Sequence, residues 1–203
     1  MNILINSSNL KAGGGLQVAD SICKSLNQFP QHKFVVVLSS FFPSTGKEIE
    51  IYDNVVVHTY NIKNSMQTLI WGRDRYLDDL VVQNEIDVVL TVFGPSRWNP
   101  RCPHLCGFAL SFLVMPESPY FIRMKTFDKV KSNLKNKLWE LFFQRSTNYF
   151  YTENPLISER LAQRFKGSKV YTVTNYCNQV FDHPEKWVSH TLPKFDGVSL
   201  INI

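Results

Sequence analysis

Asn2-Ile-Leu-Ile-Asn6 followed by Lys11-Ala-Gly-Gly-Gly-Leu-Gln-Val18 is the stretch whose reading decides the fold. The first run is apolar without interruption, as expected of a parallel strand buried on both faces. From Gly15 onward Val18, Ala19, Ile22, Leu26 and Phe29 return at helical spacing. Strand, glycine loop, helix is the arrangement in which an α/β protein offers free backbone N–H groups to an anion at the mouth of its sheet. Glycine suits such a bend because it tolerates positive φ and lets an oxygen approach the backbone without meeting a Cβ. Gly13, Gly14 and Gly15 are therefore candidate phosphate-binding residues. Positions 13, 15 and 18 read Gly, Gly, Val, and no Gly-Lys-Ser/Thr follows, so neither a dinucleotide fingerprint nor a P-loop is present. The plain alternative is a flexible loop capping a surface helix.

Further strands are expected over residues 32–38, 54–60, 87–93, 104–110, 148–152 and 169–174, where β-branched and aromatic side chains cluster between turn signals. Helices are expected over 65–85 and 129–145, and from Pro155 to Gly167 behind Asn154 as N-cap. This alternation predicts an α/β, Rossmann-like, doubly wound and mainly parallel sheet of about seven strands flanked by helices. The end of the chain changes character. Residues 175–197 read as a polar crossover, and Val198-Ser-Leu-Ile-Asn-Ile203 as a strand opening a further domain, which leaves residues 1–174 as one Rossmann-like unit.

With 203 residues the chain can bury a full core. No run approaches the roughly 18 apolar residues of a membrane span, and the start lacks the pattern of a signal peptide. Four scattered cysteines favour a reducing, cytoplasmic setting over a disulfide framework. Cys102, His104 and Cys106 sit close together, but without a second cluster no metal is expected. A net charge of +5 points to an acidic partner surface or substrate, and no motif supports nucleic acid.

Several side chains are candidates for ligand contact. Arg73 falls within the apolar stripe of the helix expected over 65–85, where it needs a carboxylate or phosphate; an ordinary ion pair with a snorkelling stem is the alternative. Arg97, Trp98 and Asn99 follow the fourth strand on its carboxyl side, where loops carry function, although a turn-rich connector fits equally well. Residues 111–120 form a proline-rich and aromatic loop over the same edge. In the helix expected over 129–145, Val130, Leu134, Leu138, Leu141 and Phe142 form the core stripe. Lys131 and Lys135 lead along another face to Trp139, which suits an anionic membrane surface, a second domain or a solvated face.

Taken in order, the chain resembles the N-terminal half of a GT-B glycosyltransferase, and glycosyltransferase family 4 in particular. The likeness is carried by Ile5-Asn6, Gly13-Gly14-Gly15-Leu16-Gln17-Val18, Tyr151-Thr152-Glu153 before a helix, and Tyr171-Thr-Val-Thr-Asn175 with Phe181. The resemblance implies an acceptor-binding domain facing a donor-binding domain across a cleft, with retention of anomeric configuration and no metal or other cofactor. Gly13 to Gly15 would then approach the diphosphate of a nucleotide-sugar donor. Arg73, Arg97, Trp98, Thr152 and Glu153 would shape the pocket for a glycan or lipid-linked acceptor. Many relatives carry His or His-Asp at the end of the fifth strand; here Ala109-Leu-Ser111 stands there, leaving Ser111 and Glu117 as candidates for that catalytic place. The family's Glu-x7-Glu donor motif has no counterpart in the chain, so it is expected to bind an acceptor and not to transfer sugar unaided. The expected setting is cytoplasmic and peripheral to the inner face of the plasma membrane, in cell-surface polysaccharide or glycolipid synthesis. The competing reading is a stand-alone Rossmann-like ligand-binding or regulatory module.

Overall fold

A computed structural model describes residues 1–42 and 45–174. Seven strands form one sheet in the order β3-β2-β1-β4-β5-β6-β7, and every pairing is parallel. They are β1 (Asn2–Ser7), β2 (Lys33–Leu38), β3 (Val55–Thr59), β4 (Val88–Thr91), β5 (His104–Gly107), β6 (Tyr149–Thr152) and β7 (Lys169–Thr172). The α/β, doubly wound, Rossmann-like expectation holds, and the order reverses between β1 and β4. At such a switch point the loops leaving the two carboxyl ends diverge and open a crevice.

Side-chain alternation sorts the helices into two layers. Ile5, Val36 and Leu38 point to the side covered by α1 (Gly14–Lys24) and α2 (Thr45–Ile49), packing on Ala19, Cys23 and Ile49. Leu4, Val37 and Val89 point to the other side, against Leu77 and Leu80 of α3 (Arg75–Gln83) and the Trp98 ring. Further along that face, Cys106 and Phe150 meet Phe143 of α5 (Thr126–Ser146) and Leu161 of α6 (Pro155–Arg164). A short α4 (Pro119–Ile122) precedes α5. Asn154 caps α6 as expected, its Oδ1 accepting the Leu156 N–H at 2.8 Å.

Two helices depart from expectation. The segment 65–85 is not one helix: a π-helical turn, Gln67–Trp71, stops at Gly72 with φ 65°, and α3 restarts after Asp74. Asp74 caps α3 by accepting the Leu77 N–H at 3.2 Å and also accepts the Tyr60 hydroxyl proton at 2.8 Å. A left-handed glycine followed two residues later by a buried capping Asp ends one element and starts the next. In α5 the expected core stripe holds only at Phe142, which is buried together with Phe143 and Ser146, while Val130, Leu134, Leu138 and Leu141 are exposed. The rotation is set by Phe143, whose ring lies 5.2 Å from Phe108, 5.8 Å from Phe150 and 6.2 Å from Phe165. Helices α2 and α4 were not anticipated. The expected crossover over 175–197, the strand over 198–203 and the residues Asn175, Cys177 and Phe181 lie outside the described residues.

Candidate ligand-binding cleft

The carboxyl ends of β1 and β4 are joined by side-chain hydrogen bonds that shape what lies above them. Asn6 donates from Nδ2 to Thr91 Oγ1 at 3.3 Å, and its Oδ1 accepts from the Ser8 N–H at 3.1 Å and hydroxyl at 2.7 Å. Asn9 donates to the Phe93 carbonyl at 2.7 Å, tying the loop after β1 to the loop after β4. Ser39, after β2, donates to the Leu10 carbonyl at 2.5 Å. Two buried oxygens, Ser7 Oγ and Asn9 Oδ1, have no hydrogen-bond partner among the described residues.

These loops surround a cavity of about 900 Å³ at the switch point. Its wall carries the amides of Asn9, Asn61 and Asn64, the rings of Phe41, Phe93 and Trp139, and two cations, Lys11 and Arg97. Among the described residues that line it there is no carboxylate. Cations without an opposing acid favour an anionic ligand, and amides beside aromatic faces suit a polyhydroxylated one.

The glycine bend borders this cavity, continuing from Ala12 in its wall. Gly13 has φ 75° and ψ −161°, a combination that side chains other than hydrogen scarcely allow. It leads into α1 with no side chain capping the first turn; the Leu16 N–H donates to the Gly13 carbonyl at 3.1 Å, which leaves the Gly14 and Gly15 amides for an external acceptor. A Cβ on Gly13 or Gly14 would meet nothing within 4 Å, which shows the bend to be open rather than plugged.

The other expected site residues are placed unevenly. Arg97 is in the cavity wall. Trp98 is fully buried in the core, its Nε1 donating to Asp78 at 2.9 Å, and it presents no surface to a ligand. Arg73 is not in an apolar stripe, because the helix is broken there; it donates to the Asn99 carbonyl at 3.2 Å and lies 3.8 Å from the Asp78 carboxylate. Thr152 is buried at the end of β6, with its hydroxyl 2.7 Å from that of Ser158, and Glu153 is exposed just beyond. Ser111 is exposed at the start of a 3-10 turn and does not line the cavity. Glu117 is exposed and ion-paired with Arg160. A hydrogen bond from its own backbone N–H, then the bond from Arg160, hold its carboxyl below the usual range, which weakens it as a base. Trp139, expected at a membrane, instead lines the cavity; its ring is 5.5 Å from Phe112, with Lys135 Nζ 4.4 Å above it.

Asn9, Asn61, Asn64 and Phe41 were not singled out in the sequence. Their shared signal is position, one or a few residues past the carboxyl end of a strand.

Cys102, His104 and Cys106 do not form a metal site. His104 is buried, with Nδ1 donating to the Ser146 carbonyl at 2.8 Å and Nε2 facing Thr91 Oγ1 at 2.8 Å, so both ring nitrogens are engaged. Cys106 is buried in the apolar cluster around Phe143 and Phe150, and that burial pushes its thiol up to about 12. A second concavity of about 740 Å³ lies over β4 to β7 on the same side of the sheet as α1, beside Ile22, and its wall is mostly apolar. Comparison of the sequence with protein-family models and with curated proteins gives no match.

Proposed function

We propose that this chain is the acceptor-binding domain of a retaining GT-B glycosyltransferase that receives sugar from a nucleotide-sugar donor. The observation that supports the reading best is the cavity at the β1/β4 switch point, with two cations and no acid among the described residues of its wall and the Gly13 bend open beside it. Amides at the start of α1 could stabilise charge growing on a departing diphosphate without needing a metal. Lys11 and Arg97 would hold an anionic group of the acceptor, while Asn61, Asn64 and Phe41 would meet its hydroxyls and apolar sugar face. The likeness of the glycine bend and of Tyr151-Thr152-Glu153 to family 4 transferases supports the same class. No general base is assigned to this chain, because Glu117 is committed to Arg160 and Ser111 stands outside the cavity. The acceptor is proposed to be a glycan or lipid-linked sugar of cell-surface polysaccharide or glycolipid synthesis, used on the cytoplasmic side.

Saturation-transfer NMR with soluble oligosaccharides, short-chain lipid-linked sugar phosphates and free nucleotides tests this reading. Transfer to at least one sugar ligand, reduced fivefold or more in Arg97→Ala, is the expected result. Binding that survives Arg97→Ala, or binding of nucleotides alone, would contradict it and favour the stand-alone module.

A further inference from the structure

Among the described residues, helix α5 carries a long exposed apolar face. Phe127, Val130, Leu134, Leu138 and Leu141 are between 49 % and 80 % exposed. At about 100° per residue they fall within roughly 80° of arc, one continuous stripe along a helix about 30 Å long. The helix touches the body of the protein with a different side, through Phe142, Phe143 and Ser146. At its C-terminal end Arg145 donates to the carbonyls of Leu69 and Ile70 at 2.8 and 2.9 Å, which brings the turn bearing exposed Ile70 and Trp71 alongside.

The flanks of the stripe are basic. By the same rotation Lys131 and Lys135 lie on one edge and Lys137 on the other. Residues 123–145 contain seven Lys or Arg against two acids, Asp128 and Glu140. Glu140 is already held by Arg164 at 2.9 Å. A second copy of the helix would set lysines against lysines, which opposes self-pairing. Large apolar side chains between lysines, with a tryptophan near one end, fit an anionic lipid surface, where the apolar face enters the acyl boundary and the ammonium groups remain among phosphates.

We infer that the outer face of α5, centred on Leu134 and Leu138 and flanked by Lys131 and Lys137, is a docking surface for an anionic bilayer. It is not the face marked by Trp139, which is turned to the cavity, and the inference does not rest on the transferase reading.

The test is co-sedimentation of the 203-residue protein with large vesicles of phosphatidylcholine alone or with 30 % phosphatidylglycerol (about 30 mol %, enough for a strong negative surface potential). Expected is at least tenfold stronger partitioning to the anionic vesicles, lost at least tenfold in Leu134→Ser/Leu138→Ser and in Lys131→Glu/Lys137→Glu. Both pairs are at the surface, and an unchanged urea midpoint confirms that each variant is folded. Lys47→Glu on α2 is expected to bind as the parent does. Absence of binding to anionic vesicles, binding indifferent to both double variants, or a dimer that Leu134→Ser/Leu138→Ser dissolves would each overturn the inference.

Discussion

Tyr151 reaches over β5 to donate its hydroxyl proton to the carbonyl of Val92, 2.5 Å away, so β6 is pinned to the loop after β4 across an intervening strand. The crossing exists because position 107 is glycine. A Cβ there would overlap the Val92 carbonyl oxygen and come within 2.7 Å of the Tyr151 hydroxyl. Gly107→Ala is expected to destabilise the protein by about 3 kcal/mol or more, as backbone and ring cannot both yield. Tyr151→Phe, which leaves a buried carbonyl unpaired, is expected to cost about 1–2 kcal/mol. Urea unfolding of the two variants checks the order.

His104 makes stability depend on pH. Burial pushes its imidazole down to about 4, although the Ser146 carbonyl it donates to acts in the opposite direction. The unfolded chain therefore binds the proton first, and stability falls as pH drops from about 6.5 towards 4. At about 1.4 kcal/mol per unit this single group removes up to about 3 kcal/mol across that window and nothing above it. His104→Asn is expected to flatten that part of the urea midpoint against pH, and an unchanged slope would assign the effect elsewhere.

Arg145 joins α5 to the loop that carries Arg97. Besides the two carbonyls of the π-helical turn noted above, its guanidinium donates to those of Thr68 at 3.1 Å and Arg97 at 2.7 Å. Truncation strands several carbonyls at once, so Arg145→Ala is expected to cost about 3 kcal/mol. Arg145→Lys restores only part of this, because one ammonium cannot reproduce the planar fork. Both are read from denaturant midpoints.

The neighbouring glycines of the bend should answer oppositely to alanine. Gly13→Ala forces a methyl group into a region almost restricted to glycine and is expected to cost about 1–3 kcal/mol. Gly14 is the first residue of α1 with open space around its Cβ position, so Gly14→Ala is expected to be neutral or to stabilise by up to about 1 kcal/mol. Thermal midpoints of the two variants decide the matter.

The sheet was legible because its strands are apolar runs between turn signals, and because Asn154-Pro155 and the glycine bend carry their own capping and dihedral chemistry. Helix faces were less so. The stripe of α5 obeys helical periodicity as well as any core stripe, and only the aromatic cluster around Phe143, drawn from four separate elements, turns it outward. Gly72 and Asp74 did hold the break in the segment 65–85, but the apolar pattern on both sides of them continues in register. At the cleft, Arg97 and the glycine bend could be named in advance, since charge and glycine mark a loop. Trp98 could not be told from a surface tryptophan, because its burial depends on Asp78 accepting the indole N–H. Asn61 and Asn64 look like any loop amides until the topology sets them beside β1.

The central claim, that amides at the Gly13 bend are free to receive a diphosphate, is tested most directly by amide chemical shifts under titration with inorganic pyrophosphate. Saturable shifts of the Gly13, Gly14 and Gly15 amides, accompanied by Lys11 and lost in Gly13→Ala, are predicted. Shifts confined to the lysines of α5, with the glycine amides unmoved, would contradict the account.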